Sequence, residues 1–173
     1  MTGSATRIVL AAGGTGGHMF PAEALAHELC RRGLPVDLIT DRRGQDFGDR
    51  MGDIAIHRIS AGGIAGGGLV RRAQSVAQLG VGFFQARTLL ARLAPAVAVG
   101  FGGYASVPTM LAASLAGIAT IIHEQNAILG RANRMLARRV TRIAASFAGL
   151  DRQLAGDKVV VTGNPVRPAV AAV

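Results

Sequence analysis

"RIVLAAGGTGGHMFPAEALAHELCRRG", residues 7–33, runs from a short apolar segment through four closely spaced glycines and a histidine into a helical pattern. The apolar run lacks polar alternation, as a strand buried on both faces does. Behind it, Pro21 fits an opening turn, Glu23 suits the positive end of a helix, and Ala22, Leu25, Ala26 and Leu29 share one apolar face until Gly33 stops it. A strand, a glycine loop and a helix in that order form the first half of a βαβ unit.

The same alternation continues along the chain. "VDLIT" (36–40), "IAIHRIS" (54–60), "AVAVGF" (96–101), "ATIIHE" (119–124), "RIAAS" (142–146) and "VVVTG" (159–163) read as further strands. Helical patterns cover 69–93, 106–116 and 129–139. The expected fold class is α/β, a Rossmann-like parallel sheet with helices on both faces. Residues 1–163 read as one domain, and the proline-bearing 164–173 as the start of a linker to something downstream.

Composition agrees with a folded domain: of 173 residues, 50% are hydrophobic and 17% charged. The 19 basic residues against 10 acidic ones are nearly all arginine, the side chain suited to gripping phosphate, so an anionic partner is expected. The single cysteine, Cys30, rules out a disulfide framework within the chain and reads as a small buried residue. No basic start followed by a long apolar run marks a signal peptide. Residues 93–122 carry no charge, but Pro95, Gly100, Gly102, Gly103 and Pro108 break them into strand, loop, helix and strand rather than a membrane span.

In an open parallel sheet a ligand binds beyond the carboxyl ends of the strands, where strand order reverses. With the order 3-2-1-4-5, that crevice lies between strands one and four. The loops "GGTGGH" (13–18) and "GFGGYASVP" (100–108) then flank one site, with "HEQNAILG" (123–130) beside them. Backbone amides at a helix N-terminus attract an anion, and glycine lets it approach closely. The first loop is neither a dinucleotide fingerprint, since Met19 stands where a third glycine is needed, nor a P-loop. His18 reads either as a general base or as a histidine that positions the loop. Tyr104 offers a ring and a hydroxyl, and Ser106 can cap the next helix. Gln125 and Asn126 look like directed hydrogen-bond formers, while His123 and Glu124 could equally serve the fold. Neither a His-Glu-x-x-His helix nor an Asp-x-Asp pair is present, so no metal and no cofactor are expected. Arg131, Arg134 and Arg138 read as a solvated face. In the 69–93 helix, Leu69, Val76, Leu79, Phe83 and Phe84 are fringed by Arg71 and Arg72, a pattern suited to an anionic membrane surface.

Taken together and in order, "GGTGGHMFPAEALA", "GFGGYASVP", "HEQN" and "GNPVR" resemble the MurG family of peptidoglycan-synthesis enzymes. That resemblance covers essentially all of the chain. It implies the N-terminal, acceptor-side half of a glycosyltransferase-B architecture, with the donor-binding C-terminal domain absent. The implied reaction is inverting transfer of N-acetylglucosamine from UDP-N-acetylglucosamine to lipid I, the undecaprenyl-diphosphate-linked muramyl pentapeptide, giving lipid II. His18 matches the family's candidate base. Thr15, Gly16, Gly17, Asn126 and Arg167 match donor contacts. Gly13, Gly14, Gly102, Gly103, Tyr104, Ser106, Glu124 and Gln125 are expected to face the acceptor diphosphate. The 69–93 helix corresponds to the region that sits on the cytoplasmic face of the inner membrane, as a peripheral association, and no nucleic acid partner is implied. Two alternatives stand beside this reading: a non-catalytic membrane-associated subunit of a split glycosyltransferase, and an NAD-binding domain with Asp41 on the ribose.

Overall fold

The computed structural model describes residues 6–13, 15–42, 52, 54–62, 68–150 and 157–167; Gly14 and the side chain of Leu69 fall outside the described residues. The elements are β1 (Ile8–Ala11), α1 (Gly16–Arg31), β2 (Val36–Thr40), β3 (Ala55–Arg58), α2 (Leu69–Leu93), β4 (Val97–Gly100), α3 (Ser106–Leu115), β5 (Ala119–Glu124), α4 (Arg131–Leu136), β6 (Arg142–Ala145) and β7 (Val159–Val161). They build a seven-stranded sheet in the order β3-β2-β1-β4-β5-β6-β7. All six ladders are parallel. Strand order reverses between β1 and β4, as the sequence implied.

Side chains of successive strand residues point to opposite faces, so each central strand feeds two cores. Leu10, Leu38 and Val99 pack with Met19, Ala22 and Ala26 of α1 on one face. Val9, Ala11, Ile39, Ala98 and Ile122 pack with Ala86, Leu89 and Leu90 of α2 and with Met110, Ala112 and Ala113 of α3 on the other. Edge strands β3 and β7 are more exposed, with Val160 and Val161 half in solvent.

Several local expectations change. Helix α1 begins at Gly16, five residues before Pro21, because the N–H groups of His18 and Met19 both close onto the Thr15 carbonyl (3.0 Å each). Pro21 therefore sits inside the helix, where its missing N–H leaves the Gly17 carbonyl without its usual i→i+4 partner. Helix α4 is shorter than 129–139, and Ser106 does not cap α3: it is the helix's first residue, fully buried, and its hydroxyl donates to the Gly103 carbonyl (2.9 Å). Cys30 is exposed on α1, off the apolar stripe that meets the sheet.

At the reversal point the two glycine loops cross in direct backbone contact. The Gly13 N–H donates to the Gly102 carbonyl (3.0 Å). A Cβ on Gly13 would lie 2.8 Å from the Gly103 Cα, and one on Gly103 would lie 2.6 Å from the Gly13 Cα. Gly102 and Gly103 also have φ of 92° and 76°, in the region that L side chains rarely adopt. Glycine at 13 and 103 is thus required by the fold, whereas a Cβ on Gly17 would meet nothing within 4 Å.

Strand β5 ends on two buried ionisable groups. Glu124 Oε1 accepts from the Asn126 N–H (3.1 Å) and Nδ2 (2.9 Å), and Oε2 from the Gly130 N–H (2.9 Å) and Asn133 Nδ2 (2.9 Å). One carboxylate thereby folds the 125–130 loop and fixes the start of α4. Burial works to raise the Glu124 pKa, but the Gly130, Asn133 and Asn126 donors outweigh it and hold the carboxyl below its ordinary value. Burial lowers His123 below its ordinary 6.5, against the opposing influence of the Gly163 carbonyl and the Glu124 charge.

Two outcomes follow from this packing. Gly103→Ala puts a methyl group against backbone at a left-handed φ and is expected to cost about 2 kcal/mol or more, roughly 5 °C in Tm by calorimetry; an unchanged Tm would contradict the backbone crossing. For both His123 and Glu124 the folded pKa lies below the unfolded one, so the unfolded chain binds more protons on acidification. Their contribution is complete above the ordinary values of 6.5 and 4.5 and is lost in two steps as pH falls, His123 first. Urea midpoints should fall as pH drops through 6.5 and again below 4.5, and His123→Gln should flatten the upper step.

Candidate functional site

His18, the third residue of α1, places its ring over the loop that follows β4. A Cβ on Gly102 would lie 3.0 Å from its Cε1, and one on Gly103 would lie 3.3 Å from its Cδ2. A Cβ at either position would crowd the imidazole, so the two glycines let the ring approach that backbone closely. Before it, Thr15 is the exposed N-cap in extended conformation, and the Gly16 and Gly17 N–H groups belong to the first turn, where no intrahelical carbonyl is available.

The hydrogen bonds around His18 form a chain whose polarity can be read from its ends. His123 Nε2 lies 3.1 Å from the Gly163 carbonyl, which can only accept, so Nε2 carries the proton. With His123 held neutral by burial, its Nδ1 accepts from Gln125 Nε2 (3.1 Å). The same amide nitrogen donates to the Phe101 carbonyl (3.1 Å), which fixes the amide's orientation and turns Oε1 towards His18 Nδ1 (3.3 Å). An amide oxygen only accepts, so His18 Nδ1 bears the hydrogen, and in the neutral ring Nε2 is the acceptor. The 18th residue is thus held in the tautomer that accepts a proton at Nε2.

His18 opens onto a cleft of about 250 Å³, lined also by Gly102, Gly103, Tyr104, Glu124, Asn126, Gly130, Arg131 and Asn133. Tyr104 is half-buried on its rim and Asn126 is exposed. Arg167 reaches back to α1, its guanidinium 4.2 Å from the centre of the Phe20 ring, and a Cβ on Gly16 would lie 2.9 Å from that same ring. Arg167 therefore stands beside the N-terminal turn of α1.

Three residues expected at the diphosphate have hydrogen-bond partners within the loops. Ser106 is buried on the Gly103 carbonyl, Gln125 is committed to Phe101, His123 and His18, and both Glu124 oxygens already accept two donors each. Gly13 has its N–H engaged by Gly102. Conversely, two polar side chains not singled out as site residues line the cleft. Arg131 is exposed at the start of α4, and Asn133 is 2% exposed with Oδ1 lacking a hydrogen-bond partner among the described residues. An asparagine inside a helix is a weak signal that its side chain has other work; Glu124 is what brings it to the cleft. No group of three or more His, Cys, Asp or Glu able to hold a metal occurs among the described residues. Asp41 is 3% exposed and lies at the end of β2, away from this cleft.

On α2, the residues expected to meet a membrane divide. Leu79 and Phe83 are half-buried, and Phe83 packs against the core, so Phe83 belongs partly to the fold. Val70, Val76, Val81 and Phe84 are 71%, 61%, 52% and 68% exposed, with Arg71, Arg72, Arg87 and Arg92 also exposed. No helix among the described residues is long and apolar enough to cross a membrane.

Residues 8–145 match the family described as "Glycosyltransferase family 28 N-terminal domain". The UDP-N-acetylglucosamine–N-acetylmuramyl-(pentapeptide) pyrophosphoryl-undecaprenol N-acetylglucosamine transferases of Paramagnetospirillum magneticum and Rhodospirillum rubrum are each 58% identical over 95% of this chain. The match spans only 45% and 42% of those proteins, so the chain corresponds to less than half of their length. The crystal structure of Acinetobacter baumannii MurG superposes with a TM-score of 0.78 at 32% identity, covering 92% of this chain and 46% of that one. A UDP-GlcNAc 2-epimerase from Methanocaldococcus jannaschii, at 15% identity and a TM-score of 0.62, shares the fold alone. With the glycine loops, the seven-stranded parallel sheet and these relatives in agreement, the chain belongs to glycosyltransferase family 28 as its N-terminal, Rossmann-like half of a glycosyltransferase-B architecture.

Proposed function

We propose that this chain is the acceptor-side half of an inverting hexosyltransferase that moves N-acetylglucosamine from UDP-N-acetylglucosamine to lipid I, forming lipid II. The observation that carries this reading is the hydrogen-bond chain that leaves His18 Nε2 as a proton acceptor in a cleft walled by glycine backbone. Its Nε2 takes the proton of the muramyl 4-hydroxyl while that oxygen attacks the anomeric carbon of the donor. The bond from that carbon to the UDP oxygen breaks, UDP leaves with the electron pair from the opposite face, and configuration inverts. Gln125 Oε1 holds the Nδ1 hydrogen throughout, so the ring does not rotate as it becomes charged.

The free N–H groups of the first turn of α1 suit donor oxygens, with Thr15, Gly16, Gly17, Asn126 and Arg167 contacting the UDP-sugar from this side. The acceptor diphosphate lies on Gly102, Gly103 and Tyr104. Arg131 supplies a positive charge on the same cleft. Residues 164–173 are the start of the linker to a donor-binding half that supplies the other wall. Helix α2 rests on the cytoplasmic face of the inner membrane through Val70, Val76, Val81 and Phe84, its arginines meeting anionic headgroups.

In the complete two-domain enzyme, His18→Ala should lower kcat by about 10²–10⁴ with acceptor binding retained, and unchanged turnover would leave His18 a structural role. Gln125→Leu, which removes the acceptor for the Nδ1 hydrogen, should lower kcat by about tenfold, less than the roughly 10²–10⁴ that the base itself contributes. The 173-residue chain alone should show no appreciable transfer from UDP-N-acetylglucosamine to a lipid I analogue. In flotation with anionic vesicles, Phe84→Ser should weaken binding with Tm unchanged, whereas Phe83→Ser should lower Tm; equal behaviour of the two would overturn the division of α2 into core and membrane faces.

A further inference from the structure

A second, larger cavity of about 540 Å³ lies beyond the carboxyl ends of β2 and β3, on the same rim of the sheet as the His18 cleft. Polar side chains of Arg42, Arg58, Gln78, Gln85, Ser60 and Asp41 line it beside Ile59 and Ala61. Arg42 follows β2 and Arg58 ends β3; both are exposed, and neither forms a hydrogen bond or ion pair with another described residue. Asp41, the one acid of the wall, is 3% exposed and already has a partner of its own.

The wall is rigidly set. The Ser60 N–H donates to Gln85 Oε1 (2.7 Å), which leaves the Gln85 amide nitrogen as a donor. A Cβ on Gly82 would lie 1.9 Å from the Ser60 carbonyl oxygen, so the loop after β3 is pressed onto α2 at a position where only glycine fits. Two cations and amide donors on a preformed wall make a site for a carboxylate-bearing, hydrogen-bonding ligand.

Building on the reading above, we propose that this cavity binds the peptide of the acceptor through its carboxylates. The relatives' name gives the acceptor three parts besides its sugar hydroxyl: a diphosphate, a polyprenyl chain and a pentapeptide. The glycine cleft and the outer face of α2 take the first two, and the peptide remains. Adjacent strands are spaced by about 4.8 Å, so β3 lies about 10 Å from β1, while five extended residues reach about 17 Å. A peptide leaving the sugar at His18 therefore reaches Arg42 and Arg58 without spanning the sheet.

The test is calorimetric binding of a water-soluble muramyl pentapeptide to the complete enzyme, which does not depend on sugar transfer. Wild type should bind it, Arg42→Ala and Arg58→Ala should each weaken binding by about tenfold, as loss of a charged hydrogen bond does, and the Lys variants should recover part of it. Amidating the peptide's carboxylates should weaken wild-type binding to the level of the Ala variants, with Tm unchanged in all of them. Equal affinity for the acid and amidated peptides, or Ala variants that bind as wild type does, would overturn the proposal. Displacement of the peptide by inorganic pyrophosphate in wild type and Arg131→Ala alike would also overturn it, assigning the cavity to phosphate. Failure of the wild-type enzyme to transfer N-acetylglucosamine, with peptide binding intact, would instead count against the function proposed above and leave the peptide site standing.

Discussion

The contact between Gly13 and Gly103 is the constraint on which the rest of the site depends. Two loops that follow adjacent parallel strands ordinarily diverge, because side chains keep backbones apart. Here a missing Cβ on each side lets them touch, with the Gly13 N–H on the Gly102 carbonyl at 3.0 Å. That contact seats the first turn of α1 over the second loop and lays the His18 ring on Gly102. Neither loop could move by the width of a methyl group without lifting the histidine off its support.

Around this crossing the polar groups are spent on geometry rather than held in reserve. Glu124 satisfies four donors, Gln125 bridges three residues, and Ser106 closes onto Gly103. Such satisfied buried networks specify a single arrangement more than they add net stability. The cleft they leave presents backbone amides, one oriented imidazole and the open acceptor of Asn133. The Arg131 guanidinium beside it suits a phosphate-bearing ligand, and the Asn133 acceptor suits a hydroxyl or N–H donor on that ligand.

The strands were legible because their signal is local, buried parallel strands reading as unbroken apolar runs, and their order followed the common doubly wound pattern. The glycine loops were legible for the same reason. What escaped is long-range. His18 and Gln125 are 107 residues apart, and His123 and Gly163 are 40 apart, so the chain of hydrogen bonds has no spacing to read. The early start of α1 escaped because glycine is a poor helix former, and only the Thr15 carbonyl gathering two N–H groups reveals the turn. Asn133 and Arg131 escaped because their place at the cleft is set by Glu124 rather than by their own helix. Cys30 shows the reverse error: residue type suggested burial, but its position on the helix decides exposure.

The hydrogen-bond chain ends at the Gly163 carbonyl, just past β7, where the polypeptide leaves the sheet. Four residues later Arg167 stacks on Phe20. These two anchors define where halves of related enzymes can be exchanged. A chimaera joined upstream of Gly163 would draw its histidine-orienting carbonyl from a foreign segment, and one joined between Gly163 and Arg167 would keep the imidazole oriented but lose the clasp on α1. Only a junction beyond Arg167 transplants this half with both the oriented imidazole and the clasp on α1 intact.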